Sequence, residues 1–235
     1  MFSDLYEPDL AIGFIWVVAL ALFFLIKSFS QTQFSFRFKL VVLTVVLAWL
    51  ALQGIISWKG YYLNFTGIPP RLSFAVLLPL FLIILLLIFR KKAFENLSMK
   101  MLTWLHVVRI PVEIILFGLF LDKQIPQLMT FEGRNFDILA GLSAPFIAWF
   151  GYYKNFLKSK IILIWNFVCL ALLLNIVINA VLSAPFAFQQ FAFDQPNVAI
   201  AYFPFIWLPC FVVPLVLFSH LVCILQLIKK IKNNS

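Results

Sequence analysis

The sequence predicts an all-α, polytopic membrane protein of seven transmembrane helices, with the N-terminus outside and the C-terminus in the cytoplasm. Three observations lead to this fold class. Of the 235 residues, 64% are hydrophobic and only 11% are charged, whereas soluble domains average about 45–50% apolar and about 25% charged residues. Apolar runs long enough to cross a bilayer recur along the chain, and basic residues gather in alternate connections between those runs.

The composition also excludes several classes of protein. A chain of this length cannot hide so many apolar side chains in a water-soluble fold, and a disordered chain would be far more polar. The 18 Lys and Arg residues are dispersed and form no patch wide enough for a nucleic acid. Cys169, Cys210 and Cys223 lie within apolar runs, which is not the pattern of a disulfide framework. We therefore expect the lipid bilayer, and no nucleic acid, as a partner.

Seven apolar runs meet or approach the roughly 20 residues that a helix needs to cross about 30 Å of hydrocarbon. The fourth run contains charged residues, and the fifth is short unless it begins near Asp137. No long linker or low-complexity tract separates the runs, so all seven are assigned to one domain, residues 1–235. In chain order, the predicted helices are 10–26, 40–58, 72–89, 101–121, 138–153, 161–183 and 204–228.

The distribution of Lys and Arg sets the predicted orientation. Basic residues accumulate on the cytoplasmic side of a membrane. Most of the 18 follow the odd-numbered helices, and few follow the even-numbered ones. This asymmetry predicts an N-terminus on the outer side, and we expect an integral protein of the bacterial inner (cytoplasmic) membrane.

The fourth helix carries ionisable residues where lipid would surround them. Such residues cost at least about 2.5–3.5 kcal/mol each on insertion scales and tend to face the protein interior at functional sites. At 100° per residue, His106, Arg109 and Glu113 share one face. Arg109 and Glu113 are spaced i, i+4, so we expect their charges to pair. Pro111 removes a backbone donor between them. The pattern predicts an inward-facing polar site that binds a solute or ion, or relays protons.

Polar residues of other helices are predicted to join this site. Asn175 and Asn179 share a face of the sixth helix, and the depth of Asn175 matches that of Glu113. His220, in the seventh helix, lies in the same leaflet as His106. An outer lip of the site is predicted from three charged residues that precede the fifth helix, namely Glu132, Arg134 and Asp137.

Three functions are compatible with these residues. The leading hypothesis is transport or binding of a small solute or ion, coupled in one version to protons and needing no cofactor. The second is a membrane redox protein in which His106 and His220 bind the iron of haem b, or share a metal with Glu113. The third is a non-transporting structural or accessory protein, in which the Arg109–Glu113 pair only holds the bundle together. No nucleophile motif or phosphate loop is present, so the sequence assigns no enzyme class.

Overall fold

The structure, a computed structural model, describes residues 7–29, 32 and 34–233. Residues 1–6, which the sequence predicts to lie on the outer side, are outside the described part. The described chain forms seven long helices, joined by connections that contain single helical turns at Tyr61–Leu63, Lys91–Phe94, Gln127–Met129 and Ala199–Ala201. The long helices are α1 Pro8–Ser28, α2 Phe36–Trp58, α3 Leu72–Phe89, α4 Met99–Leu121, α5 Ile138–Tyr153, α6 Ser159–Ser183 and α7 Leu208–Asn233.

The predicted all-α membrane fold is confirmed. Six of the seven helices are long and apolar enough to cross a membrane, and α5 is a shorter apolar helix. Each helix coincides with one of the predicted apolar runs to within five residues at either end. The side of the membrane on which each terminus lies stays a prediction from the charge distribution.

Local chemistry explains where the helices begin and where they are irregular. The Ser35 hydroxyl accepts a hydrogen bond of 3.2 Å from the Phe38 backbone N–H, satisfying one of the donors that the start of α2 leaves unpaired. Within α4, residues His106–Val108 form a tighter 3₁₀ turn just before Pro111. The first turn of α7, Leu208–Val212, is a wider π turn that contains a proline. Helices depart from regular geometry at such prolines because a backbone donor is missing.

Helices α4 and α7 form the centre of the bundle. In their apolar stretches 50% and 67% of the residues are buried, compared with 11% in α3. Helices α1 and α5 pack on α4, helices α3 and α6 pack on α7, and α4 and α7 contact each other. Polar side chains on α4 and α7 are therefore positioned to meet inside the protein, whereas α3 is peripheral.

The connection between α4 and α5 folds back into the bundle. We call residues 122–137 the re-entrant segment, because Ile125, Met129 and Asn135 within it are at most 2% exposed. Helix α5 consequently starts inside the bundle, and its 16 residues need to span only roughly 24 Å at about 1.5 Å per residue. This explains why the fifth apolar run of the sequence is short.

The connection between α6 and α7, residues 184–207, covers the re-entrant segment. The backbone N–H groups of Val198 and Ala199 donate to the Gln124 carbonyl at 3.0 and 3.2 Å. The Gln195 amide donates to the Ile125 carbonyl at 2.6 Å. The two connections form one hydrogen-bonded layer, and we call this side of the bundle the long-loop face.

Helix α5 crosses α4 closely at Gly141. A Cβ atom at Gly141 would lie 2.9 Å from Ile110 Cγ1 and 3.1 Å from the Ile110 backbone nitrogen. We expect Gly141→Ala to lower the melting temperature of the protein in detergent, because overpacking costs about 1–3 kcal/mol. Gly13→Ala in α1 is the matched control, since its Cβ would meet Ile115 Cδ1 at an ordinary 3.6 Å. Equal melting temperatures for the two variants would contradict the close crossing.

Candidate functional site

Arg109 lies at the middle of α4 and is 3% exposed. Its Nε atom forms an ion pair with Asp137 Oδ2, at the start of α5, at 3.2 Å. Its Nη1 atom donates to the Cys169 carbonyl of α6 at 3.5 Å, and its Nη2 atom lies 3.3 Å from His220 Nε2 of α7. One buried guanidinium group therefore joins four helices.

The hydrogen bonds of His220 assign its protonation state. His220 Nδ1 lies 3.0 Å from Asn166 Oδ1, while the Asn166 amide nitrogen donates to the Ile162 carbonyl at 2.9 Å. Because Asn166 Oδ1 is an acceptor, His220 Nδ1 carries the proton, and Nε2 is free to accept from Arg109. His220 is therefore a neutral imidazole that extends the network from α4 to α6 and α7.

His106 packs against His220. The two rings stack with centroids 4.0 Å apart and an interplanar angle of 23°. The Ser219 hydroxyl donates to the Leu102 carbonyl at 2.8 Å, and His106 Nε2, 3.3 Å away, donates to that same hydroxyl. Both histidines are fully buried. The two histidines, which the sequence places in the same leaflet, contact each other face to face.

This stacking bears on the haem hypothesis. An iron bound by two imidazoles lies in line with one nitrogen of each ring, so the rings must stand on opposite sides of the metal. Face-to-face rings with centroids 4.0 Å apart do not offer that arrangement, so the residues present do not fit a bis-histidine haem. Within the described ranges, no group of three His, Cys, Asp or Glu side chains is arranged to hold a metal ion.

Glu113 is 2% exposed, and its partner is an amide. Asn135 Nδ2, in the re-entrant segment, lies 2.6 and 2.7 Å from the two Glu113 carboxylate oxygens. The prediction that Arg109 pairs with Glu113 is wrong, because the re-entrant segment delivers Asp137 to Arg109 instead. The i, i+4 rule describes neighbours on one helix and takes no account of a competing charge from a loop that is distant in sequence.

Asn135 is the site residue that sequence reasoning missed. It is fully buried, and its Nδ2 also lies 3.0 Å from the Met129 carbonyl. Its Oδ1 accepts from the Asp137 backbone N–H at 3.0 Å, two residues along, which is an Asx turn. An Asn three residues before the start of an apolar helix was the available signal.

The three residues of the predicted outer lip do not lie together. Glu132 and Arg134 are exposed, whereas Asp137 is 6% exposed and lies inside the bundle. Gly133 makes this turn possible, because a Cβ there would lie 2.2 Å from the Gln127 carbonyl oxygen. The compact turn carries the chain from the surface to the depth of Arg109 within a few residues.

Asn175 fastens the re-entrant segment to α6, and Asn179 bonds to Asn175 within that helix. The Asn175 amide donates to the Arg134 carbonyl at 2.7 Å. Asn179 Nδ2 donates to the Asn175 carbonyl at 2.9 Å and lies 3.2 Å from Asn175 Oδ1. Asn175, predicted to lie at the depth of Glu113, therefore contacts the backbone of the re-entrant segment. The same segment carries Asn135, the partner of Glu113.

A cavity of about 320 Å³ lies beside Glu113 and Asp137, between α3, α4, α6 and the start of α7. Its walls are apolar, and Glu113 and Asp137 are the charged residues among the described ones that line it. The lining residues come from the half of each helix nearer the long-loop face. They include Leu77, Val112, Leu173, Val177 and Phe186.

A family model described as Domain of unknown function (DUF8737) matches residues 68–228. The matched part runs from the start of α3 through most of α7 and contains the whole Arg109 network and the cavity. No curated protein and no solved structure matches the chain. The geometry of the site is therefore the basis for inferring function.

Removing Arg109 is expected to destabilise the protein strongly. Arg109→Leu leaves the Asp137 carboxylate buried without its counter-charge, and breaking a buried pair from one side costs about 3–5 kcal/mol. We expect Arg109→Leu with Asp137→Asn to recover part of the lost melting temperature. Lys229→Leu is the control, because it breaks an ion pair whose lysine is 56% exposed, and such pairs contribute about 0–1 kcal/mol. Similar melting temperatures for Arg109→Leu and Lys229→Leu would refute the assignment.

Reversing the amide and carboxylate partners tests the Glu113–Asn135 contact. Asn135→Asp replaces the donor with a second acceptor, so we expect a lower melting temperature, and adding Glu113→Gln restores one donor and one acceptor. Asn64→Asp is the control, since exposed Asn64 only accepts, from the Thr66 backbone N–H at 3.1 Å, which an Asp also does. A double variant no more stable than Asn135→Asp alone would count against the contact.

Proposed function

The chain belongs to the DUF8737 family, and from the geometry of its buried site we propose that it binds a small, largely apolar solute within the membrane. The observation that carries this proposal is the apolar cavity of about 320 Å³ with Glu113 and Asp137 at one wall. Ligand pockets of about 300–1,000 Å³ with mainly apolar walls and a few placed polar groups are the usual form of small-molecule sites. The cavity combines these properties.

The position of the cavity supports entry from the bilayer. It lies between α3 and α6, which both pack on α7. Helix α3 is the least buried of the candidate spans, and Pro79 within it removes a backbone hydrogen bond. A solute dissolved in lipid reaches the cavity by separating α3 from α6. In the predicted orientation, this entrance faces the outer leaflet of a bacterial inner membrane.

Transport would require a further step. On the other side of the carboxylates, Arg109, His106 and His220 fill the bundle and are buried. A solute that crosses the membrane by this route must break the Arg109–Asp137 ion pair. Coupling to protons, if transport occurs, would act through Glu113 and Asp137, because these are the ionisable side chains beside the solute.

The Arg109 network itself favours a second candidate, a purely structural role for the buried charges. Arg109 joins α4 to α5, α6 and α7, which is what an interhelical fastening does. On this account the cavity is only a packing defect. Filling it would then leave every binding property unchanged and would raise stability.

Decanol carrying a photoactivatable diazirine distinguishes the two candidates. In phosphatidylcholine nanodiscs, we expect illumination to crosslink the labelled decanol to cavity residues of α3 and α6, as mapped by mass spectrometry. An excess of unlabelled decanol should suppress these crosslinks. Leu173→Trp fills the cavity from a position that is 3% exposed and should abolish them. Leu174→Trp is the matched control, because residue 174 is 48% exposed. Crosslinks that persist in Leu173→Trp, or that decanol does not suppress, would refute binding in the cavity.

A further inference from the structure

The acidic side chains around the deep end of the cavity outnumber the basic ones. Arg109 contributes one positive charge, and Glu113 and Asp137 are both carboxyl groups. His220 is neutral by its hydrogen bonds, and buried His106 has no acceptor near Nδ1 for a second proton. Both Glu113 oxygens face the Asn135 donor, which suits an ionised carboxylate. With both carboxyl groups ionised, the site has one more negative than positive charge. An uncompensated charge away from water is costly, so one carboxyl group keeps its proton unless a second cation is present.

Asp137 also has a free acceptor. Its Oδ2 atom pairs with Arg109, but its Oδ1 atom has no hydrogen-bond partner. The side chain is 8% exposed and lines the cavity. A buried acceptor without a partner loses the hydrogen bonds it made in water. Asp137 Oδ1 therefore lacks a hydrogen-bond donor at the deep end of the cavity.

No described protein donor bonds to Asp137 Oδ1, and Arg109 Nε, which has no hydrogen bond, lies 3.2 Å from Oδ2. Arg109 Nη1 and Nη2 contact the Cys169 carbonyl and His220, and Asn135 Nδ2 contacts Glu113. A water molecule can donate to Asp137 Oδ1 but cannot neutralise the excess charge. A protonated amino group does both, since it carries a positive charge and up to three N–H donors.

We infer that the solute is a hydrophobic amine, whose ammonium group binds between Asp137 and Glu113 and whose apolar body fills the cavity. This inference rests on the proposed function. The apolar walls exclude a hydrated inorganic cation, and a carboxylate ligand would add to the negative charge. A quaternary ammonium ion supplies the charge without an N–H donor. The site therefore selects a primary or secondary amine with an alkyl or aromatic body.

Competition with the diazirine-labelled decanol tests the inference in the unaltered protein. Unlabelled decylamine, which is protonated at neutral pH, is compared with decanol, decyltrimethylammonium and decanoate, each at its measured concentration in the nanodisc. We expect decylamine to suppress the cavity crosslinks at a concentration at least 10-fold below that of decanol, and decanoate to be the weakest. Equal suppression by decylamine and decanol would overturn the amine assignment and leave the cavity as a binding site. If neither decylamine nor decanol suppresses the crosslinks, both the amine assignment and the proposed binding site are overturned.

Two variants locate the selectivity. Asp137→Asn removes the unpaired carboxylate oxygen, and Glu113→Gln removes the second negative charge without disturbing the Arg109 ion pair. We expect each to reduce the preference for decylamine over decanol to about 2-fold or less. Glu132→Gln removes an exposed carboxylate of the same segment and should leave the preference unchanged. If Asp137→Asn does not fold, Glu113→Gln alone decides, and a preference unchanged in Glu113→Gln would overturn the assignment.

Discussion

A guanidinium group in the middle of a bilayer must be matched by acceptors from the protein, and the arrangement of this bundle follows from that requirement. Arg109 cannot lose its proton, so its charge must be compensated in place. Its partners come from three different helices, as Asp137, the Cys169 carbonyl and His220. The relative positions of α4, α5, α6 and α7 are thereby linked through one side chain.

The same requirement explains the irregular part of the chain. Asp137 can reach Arg109 only if the connection after α4 descends to the depth of the guanidinium group, which is what residues 122–137 do. Irregular backbone at this depth is tolerated only where protein satisfies its polar groups. Here the Asn175 amide, the Gln195 amide and the backbone of residues 198 and 199 provide the partners. The short α5 is a consequence of this descent.

Pairing Arg109 with Asp137 leaves Glu113 with an amide in place of a counter-charge. The carboxylates then lie together beside the apolar cavity, with Arg109 on the far side. Helix α3, which closes the cavity, packs mainly on α7 and is largely exposed to the surrounding phase. The charged core is thus buried, whereas the helix beside the cavity has few buried residues.

The sequence by itself determined the number of helices, their bounds and the inward face of α4, because hydrophobic length and the 100° periodicity of a helix are local properties. It did not determine the partners on that face. Asp137, in place of Glu113, pairs with Arg109; Asn135 binds Glu113; and His106 stacks on His220. These outcomes depend on the path of the re-entrant segment and on the positions of helices distant in sequence. Neither is encoded in a periodic pattern, so only the tertiary structure decided which charges were matched and which were left facing the cavity.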